Sequence, residues 1–354
     1  MGTRRYQGKT MHAVVANAYG TPDVLELKQI PMPIPGPDQM LVEVVACGVC
    51  GHDVLARTGA FPLSKPPFVM GHEIAGTVVE VGPLIKGFRV GDRVAVTQRI
   101  SCGTCPACRA GRDNVCVSGA GFYGEQISGG YGDFVIASAR NAVIVPDEIP
   151  LPVASVLGCA LGTGFHALRQ GALGIGESVV VTGASGGVGI HAVKLARLLG
   201  LRTIAVTSSA DKAPMLEGAG ASHVIVAEDF SFHEQVRALT GGEGADAVLE
   251  ITGATTFKSS MRSVRAGGRV VIIGNLHPGH VPLNPALPIL KEITLIGSGH
   301  ATLEDLRRVI RLVAAGAISP VIAAQMPRNS AADAHRMLEA RQTAGRIVLL
   351  HNAH

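Results

Sequence analysis

Six of the seven cysteines, with one histidine, fall into two sets whose donor types suit zinc. Cys102, Cys105, Cys108 and Cys116 follow a Cys-x2-Cys-x2-Cys-x7-Cys pattern, which supplies enough thiolate to close a tetrahedral ion. Cys50, His72 and Cys159 are scattered along the chain, and three donors leave one coordination place for a reactant. A closed site folds a loop, whereas an open site does chemistry. Paired disulfides are the rival reading of the tight cluster. Two-residue spacings favour ligation, and an odd cysteine count without an export signal points to reduced thiols.

A second chemistry is carried by Val181-Thr182-Gly183-Ala184-Ser185-Gly186-Gly187-Val188-Gly189. An apolar run precedes it and a helical pattern follows it. Ala184 stands where a G-x-G-x-x-G loop has its first glycine, with Gly186 and Gly189 as the second and third. Small residues let backbone N–H groups approach a pyrophosphate at a helix N-terminus, which makes Gly183, Ser185, Gly186, Gly187 and Val188 coenzyme-binding candidates. NAD-selective loops place an acid at the end of the next strand. Here that place holds Thr207, followed by Ser208 and, further on, Lys212. Hydroxyls and an ammonium accept a 2′-phosphate that an acid would repel, so NADP(H) is favoured over NAD(H). The plain alternative for Lys212 is a solvated helix residue.

The elements that must position these groups read as two domains. Residues 1–160 give short strands, such as 41–46 and 74–81, between Pro and Gly clusters, and predict a β-rich, barrel-like unit. Strands at 178–182, 203–206, 223–226, 247–250 and 269–273 alternate with helices at 190–199, 212–219 and 232–239. That alternation predicts an α/β cofactor domain over 161–299 with a doubly wound parallel sheet. From about residue 300 to 354 the chain turns to helical segments and a last strand, 346–350, expected to rejoin the first domain. With 354 residues, 47% hydrophobic and only 16% charged, the chain suits two cores and strands covered on both faces. A net charge of +4 without a basic stripe argues against nucleic acid. No apolar run reaches the ~18 residues of a membrane span. The first ten residues lack an apolar signal region, so a cytoplasmic location is expected.

Gly48-Val49-Cys50-Gly51-His52-Asp53, Gly71-His72-Glu73, the four-cysteine lobe (about 98–118) and the nucleotide loop preceded by Cys159 occur in a family's order. Over nearly the whole chain from Met11 they resemble the zinc-dependent medium-chain dehydrogenase/reductases, the alcohol dehydrogenase superfamily. The resemblance implies a GroES-like catalytic domain and a Rossmann domain, two zinc ions per chain, and a homodimer or homotetramer. It also implies hydride transfer between NAD(P)(H) and an alcohol, aldehyde or ketone. Cys50, His72 and Cys159 become catalytic zinc ligands, Asp53 the carboxylate that orients the site, and Glu73 the glutamate that approaches the metal from behind. Thr163, Thr252 and Gly274 match positions around the nicotinamide, and Arg346 matches an arginine on the pyrophosphate; packing or surface roles are the alternative for these four.

Departures from the family pattern carry information too. His52 stands where the family usually has Ser or Thr as proton relay, and reads either as an acid/base or as a residue shaping the pocket. Gly51 omits a cation that some relatives place on the pyrophosphate. Gln98 is polar where simple-alcohol enzymes are often aromatic, hinting at a functionalised substrate. Cys47 reads as a buried strand-end residue, with a redox-labile pair to Cys50 as the alternative. Two other functions compete with the alcohol or carbonyl reaction. One is an enoyl or quinone reductase, because the Gly-x-x-Gly-Gly-x-Gly loop is common in zinc-free relatives. The other is a non-catalytic homologue that only binds the coenzyme.

Overall fold

The computed structural model describes residues 8–61, 63–276 and 279–351. Residues 1–7, part of the segment read as lacking an export signal, lie outside them. The chain divides into two compact units. The first runs to Gly162 and resumes with His300–Gly316 and from Ile322 on; the second comprises Thr163–Gly299 and Ala317–Val321. The return at His300 is therefore interrupted by five residues that stay with the second unit, where Val321 N–H donates to His191 Nε2 at 2.9 Å.

The first unit is built on the strand Met40–Val49. Its sheet runs in the order Ala142–Ile144, Arg93–Val96, Glu73–Val81, Met40–Val49, Arg346–Leu350, Ile322–Pro327. Phe134–Ala137 also pairs with the central strand, and a smaller sheet holds Leu25–Pro31, Thr10–Ala16 and Phe68–Val69. Alternate residues Val42, Val44, Ile74, Val78, Ile347 and Leu349 form its core. Register puts Gly48 opposite Glu73 on one side, and Val49 opposite Ile347 on the other. The ends of three strands thus deliver Cys50, Glu73 and Arg346 to one place. Two irregularities interrupt the 40–49/73–81 pairing, at Leu41/Val42 and at Val44/Ala46.

The second unit is a six-stranded, all-parallel sheet. Its order is His223–Val226, Arg202–Thr207, Ser178–Val181, Ala245–Glu250, Val264–Ile272, Thr294–Gly297. Every residue of Ser178–Val181 is buried, as expected of a strand covered on both faces. The strand order reverses direction about Ser178–Val181, the switch point where doubly wound sheets bind ligands. The fold is thus the expected α/β pairing of a GroES-like unit with a Rossmann unit. Among the described residues no helix is long and apolar enough to cross a membrane.

Candidate active site

Cys50 precedes the helix Gly51–Thr58, and Asp53 folds back so that one carboxylate oxygen accepts the Cys50 N–H at 2.8 Å. The other oxygen accepts from His72 Nδ1 at 3.1 Å. That bond commits Nδ1 as the donor and leaves Nε2 to point elsewhere as a ligand. Nε2 is buried without a hydrogen-bond partner, and so are both oxygens of Glu73. Cys159 arrives from Leu157–Leu161, a single π-helical turn of the kind that often marks functional sites. A Cβ on Gly158 would lie 2.2 Å from Val96 O, so glycine is what lets this turn press against the sheet.

These segments bring one donor atom each from Cys50, His72, Glu73 and Cys159 within 4.8 Å of one another, all four buried. An imidazole nitrogen without a hydrogen-bond partner, a buried carboxylate and two cysteines outside any disulfide fit a divalent cation. Sequence reading gave three donors with Glu73 behind; the geometry makes Glu73 a fourth member. Room for it comes from Gly48, whose Cβ would sit 2.1 Å from Glu73 Oε2.

The electrostatics match that assignment. Cys50 and Cys159 share a hydrogen bond, which lowers the first thiol and, with burial, raises the second. Burial disfavours charge on His72, yet Asp53 and Cys50 outweigh it and raise the imidazole; a bound cation would take the place of that proton. Burial raises Glu73 to about 7 even though Arg346 opposes the shift.

Arg346, expected on a pyrophosphate, is 3% exposed with its guanidinium 2.8 Å from Glu73 and donating to Val49 O. Its observed partner is therefore the carboxylate of the donor cluster.

His52 Nε2 is paired with Glu125 Oε1, and its ring stands edge-on to His72, with centroids 5.6 Å apart. Glu125 escaped sequence reading because it lies 73 positions away in an irregular glycine-rich loop. Its side chain is 1% exposed and its Oε2 has no hydrogen-bond partner. The loop is seated by Gly124, at φ 75°, where a Cβ would press on Gly71 N at 2.9 Å. The local sign in the sequence was Gly124 just before an isolated acid, with Gln126 after it. Gln98 is buried, with its Nε2 unpartnered, and Cys47 is wholly buried on the central strand.

In the four-cysteine lobe the sulfur atoms of Cys105–Cys108, Cys102–Cys108 and Cys105–Cys116 lie 3.5, 3.9 and 3.9 Å apart. A tetrahedron with Zn–S of ~2.3 Å has edges of roughly 3.8 Å, so the cluster fits zinc without rearrangement. The N–H groups of Thr104 and Cys105 donate to Cys102 Sγ and hold its thiol down to about 5.

In the second unit the nucleotide loop opens the helix Gly187–Leu198 with no side chain capping it, so its first N–H groups are available to an anion. Gly183 is left-handed at φ 56°, and a Cβ on Gly189 would lie 2.2 Å from Gly183 O. Ser185 Oγ and Thr207 Oγ1 are 3.4 Å apart, and half-buried Ser208 and Lys212 follow. Thr252 is fixed by its N–H on Glu250, a fully buried carboxylate that also accepts from Thr182, Gly253, Thr256 and Ser260. Its hydroxyl lies where a Cβ on Gly183 would meet it, and Gly274 lies against Ile251 O. Thr163 is nearly buried. Glu250, the organiser of this strand-end loop, was also missed by sequence reading.

Comparison with known proteins agrees with the geometry. Residues 36–147 match the alcohol dehydrogenase GroES-like domain, and residues 187–315 match the zinc-binding dehydrogenase family. The chain belongs to the zinc-type medium-chain dehydrogenase/reductases, and is an oxidoreductase. It is 35% identical to the acryloyl-coenzyme A reductase of Metallosphaera sedula, over 96% of this chain and 99% of that one. It is 32% identical to an alcohol dehydrogenase of Geobacillus stearothermophilus, over 96% and 99%. The crystal structure of AibC superposes with a TM-score of 0.92 at 43% identity, covering 100% of this chain and 99% of that one.

Proposed function

We propose that the protein reduces the carbon–carbon double bond of an α,β-unsaturated acyl thioester with a reduced nicotinamide coenzyme. The observation that carries this reading is the His52–Glu125 pair beside the donor cluster. A relay hydroxyl at this position passes a proton from an alcohol toward solvent. An imidazole backed by a buried carboxylate can donate a proton directly, and saturating an enoyl group requires one proton on the α-carbon for each hydride on the β-carbon. The likeness to two acryloyl-coenzyme A reductases, 34% and 35% identical, supports the same substrate class.

Zinc held by Cys50, His72 and Cys159 would supply a Lewis acid for the acyl oxygen, and the coenzyme would supply the hydride. Asp53 keeps His72 Nε2 facing the donor cluster. Arg346 holds Glu73 and keeps that carboxylate from being the cation's undivided partner. His52 gives up its proton and Glu125 fixes the ring that gives it. The loop Gly183–Val188 would take the pyrophosphate, with Thr163, Thr252 and Gly274 beside the nicotinamide. Thr207, Ser208 and Lys212 favour NADP(H) over NAD(H).

The second reading is interconversion of an alcohol with an aldehyde or ketone. The complete zinc donor set and the alcohol dehydrogenase relatives favour it. One assay separates the two: crotonyl coenzyme A, benzaldehyde and benzyl alcohol are each followed at the nicotinamide absorbance with both coenzymes. Crotonyl coenzyme A with NADPH is expected to give the highest kcat/KM. Turnover of benzaldehyde or benzyl alcohol alone establishes the second reading, and a preference for NADH overturns the coenzyme assignment. Two zinc ions per chain are expected by metal analysis.

A cytoplasmic location accords with seven cysteines outside any disulfide. A homodimer or homotetramer accords with Thr294–Gly297, an edge strand whose neighbouring helix exposes Ile289 and Leu290.

A further inference from the structure

We propose that the four-cysteine lobe is part of the substrate site, because Asp113, Asn114 and Arg99 hold the imidazole of His300 beside the catalytic cluster. His300 lies just ahead of the helix Leu303–Ala314, with φ at 40°. That left-handed backbone is unfavourable for a residue bearing a Cβ and persists only where its surroundings hold it.

The restraints come from the lobe. Asp113 accepts the N–H of Leu303 at 2.9 Å, and the Asn114 amide donates to His300 O at 3.5 Å. Both belong to the single turn Asp113–Val115, immediately before the thiolate donor Cys116. On the other face, the Arg99 guanidinium donates to Cys116 O and lies 4.0 Å from the centroid of the Phe122 ring. The His300 ring packs against that same ring, centroids 5.1 Å apart. Backbone and side chain of His300 are thus both tied to residues flanking Cys116.

The imidazole so held is close enough to His52, His72 and Cys50 to feel their charges. Burial first, then the neighbouring imidazoles and Arg99, push it down to about 3, which favours the neutral ring. A neutral imidazole offers one N–H and one lone pair. No described protein group takes either. It is a hydrogen-bonding partner for an uncharged polar group of the substrate, such as an acyl thioester oxygen. The kinetic arm of the test rests on the hydride-transfer reading above; the exchange arm does not.

Two variants decide the matter. Asp113→Ala with Asn114→Ala releases the loop without touching a cysteine. His300→Phe keeps the ring on Phe122 and removes the hydrogen bonds. The double variant is expected to keep two zinc ions per chain, while amide exchange over residues 300–306 quickens about tenfold. His300→Phe is expected to keep wild-type exchange and raise the KM for crotonyl coenzyme A or benzaldehyde about tenfold, as loss of one hydrogen bond does. Its kcat and its coenzyme KM are expected to stay within about twofold. Unchanged exchange in the double variant overturns the proposal, as does an unchanged substrate KM in His300→Phe. If the wild-type enzyme turns over neither probe, the proposed reaction fails, and exchange alone decides whether the lobe holds His300.

Discussion

Glu125→Gln is the sharpest probe of the proton route. The amide has nearly the shape of the carboxylate, so packing of this 1% exposed side chain is retained while the anionic acceptor of His52 is lost. A hydrogen bond to a charged group is worth about 1.5–3 kcal/mol, and about 1.4 kcal/mol is a factor of ten. If the whole bond is expressed in the transition state, kcat falls by roughly 10- to 150-fold. Removing the donor itself, in His52→Ala, is expected to cost about 10²- to 10⁴-fold. The two residues are in direct contact, so their effects do not add. Because Glu125 acts only through His52, Glu125→Gln in the His52→Ala background is expected to change nothing further. The measurement is single-turnover oxidation of saturating reduced coenzyme, with zinc content checked in each variant. If Glu125→Gln slows His52→Ala by the same factor as it slows wild type, the carboxylate is not working through this imidazole and the argument fails.

Two further outcomes test the second unit. Gly189→Ala places a methyl group 2.2 Å from Gly183 O, against backbone that cannot yield, so coenzyme affinity measured by fluorescence titration is expected to drop at least about tenfold, with the zinc content unchanged; an unchanged affinity refutes the close-packed loop. Burial would raise the Asp246 carboxyl, but the N–H and hydroxyl of Ser178 and the Arg265 guanidinium outweigh it and hold it at about 2. A depressed folded pKa stabilises above the unfolded value of about 3.9 and loses that stability as pH falls toward 2. Between those limits wild-type urea midpoints are therefore expected to fall more steeply than those of Asp246→Asn, and parallel curves contradict the assignment.

What could be read from the chain was whatever is local in sequence or carried by residue type. Cysteine spacing marked the lobe, because tetrahedral thiolate ligation needs short loops, and strand-then-glycine-then-helix marked the nucleotide turn. The strands that were named are present, though often cut short, while others such as Thr10–Ala16, Arg93–Val96 and Thr294–Gly297 were not named. Residues 41–46 became Met40–Val49, because Cys47 to Val49 continue in register against Arg346–Leu350. Ile322–Pro327 was also missed. Its exposed residues alternate with half-buried ones, so no apolar run announces it. Glu125 and His300 were out of reach for a different reason. Neither carries a pattern, and each acquires meaning from a backbone conformation, Gly124 against Gly71 and a left-handed His300, that only the folded chain displays.

Arg346, which matches a pyrophosphate-binding position, also stands against Glu73. Its register, one residue before Ile347 opposite Val49, delivers the guanidinium to the end of the central strand where Cys50 and Glu73 also arrive. Without it, a fully buried Glu73 beside two thiols would have no cation but a bound metal, and would act as a permanent fourth ligand. With a guanidinium at 2.8 Å, the carboxylate has a partner of its own. Breaking such a buried pair costs about 3–5 kcal/mol, so the guanidinium would oppose movement of Glu73 toward a cation. With Glu73 so held, a cation on Cys50, His72 and Cys159 would keep its fourth place for a substrate oxygen, as a Lewis acid requires.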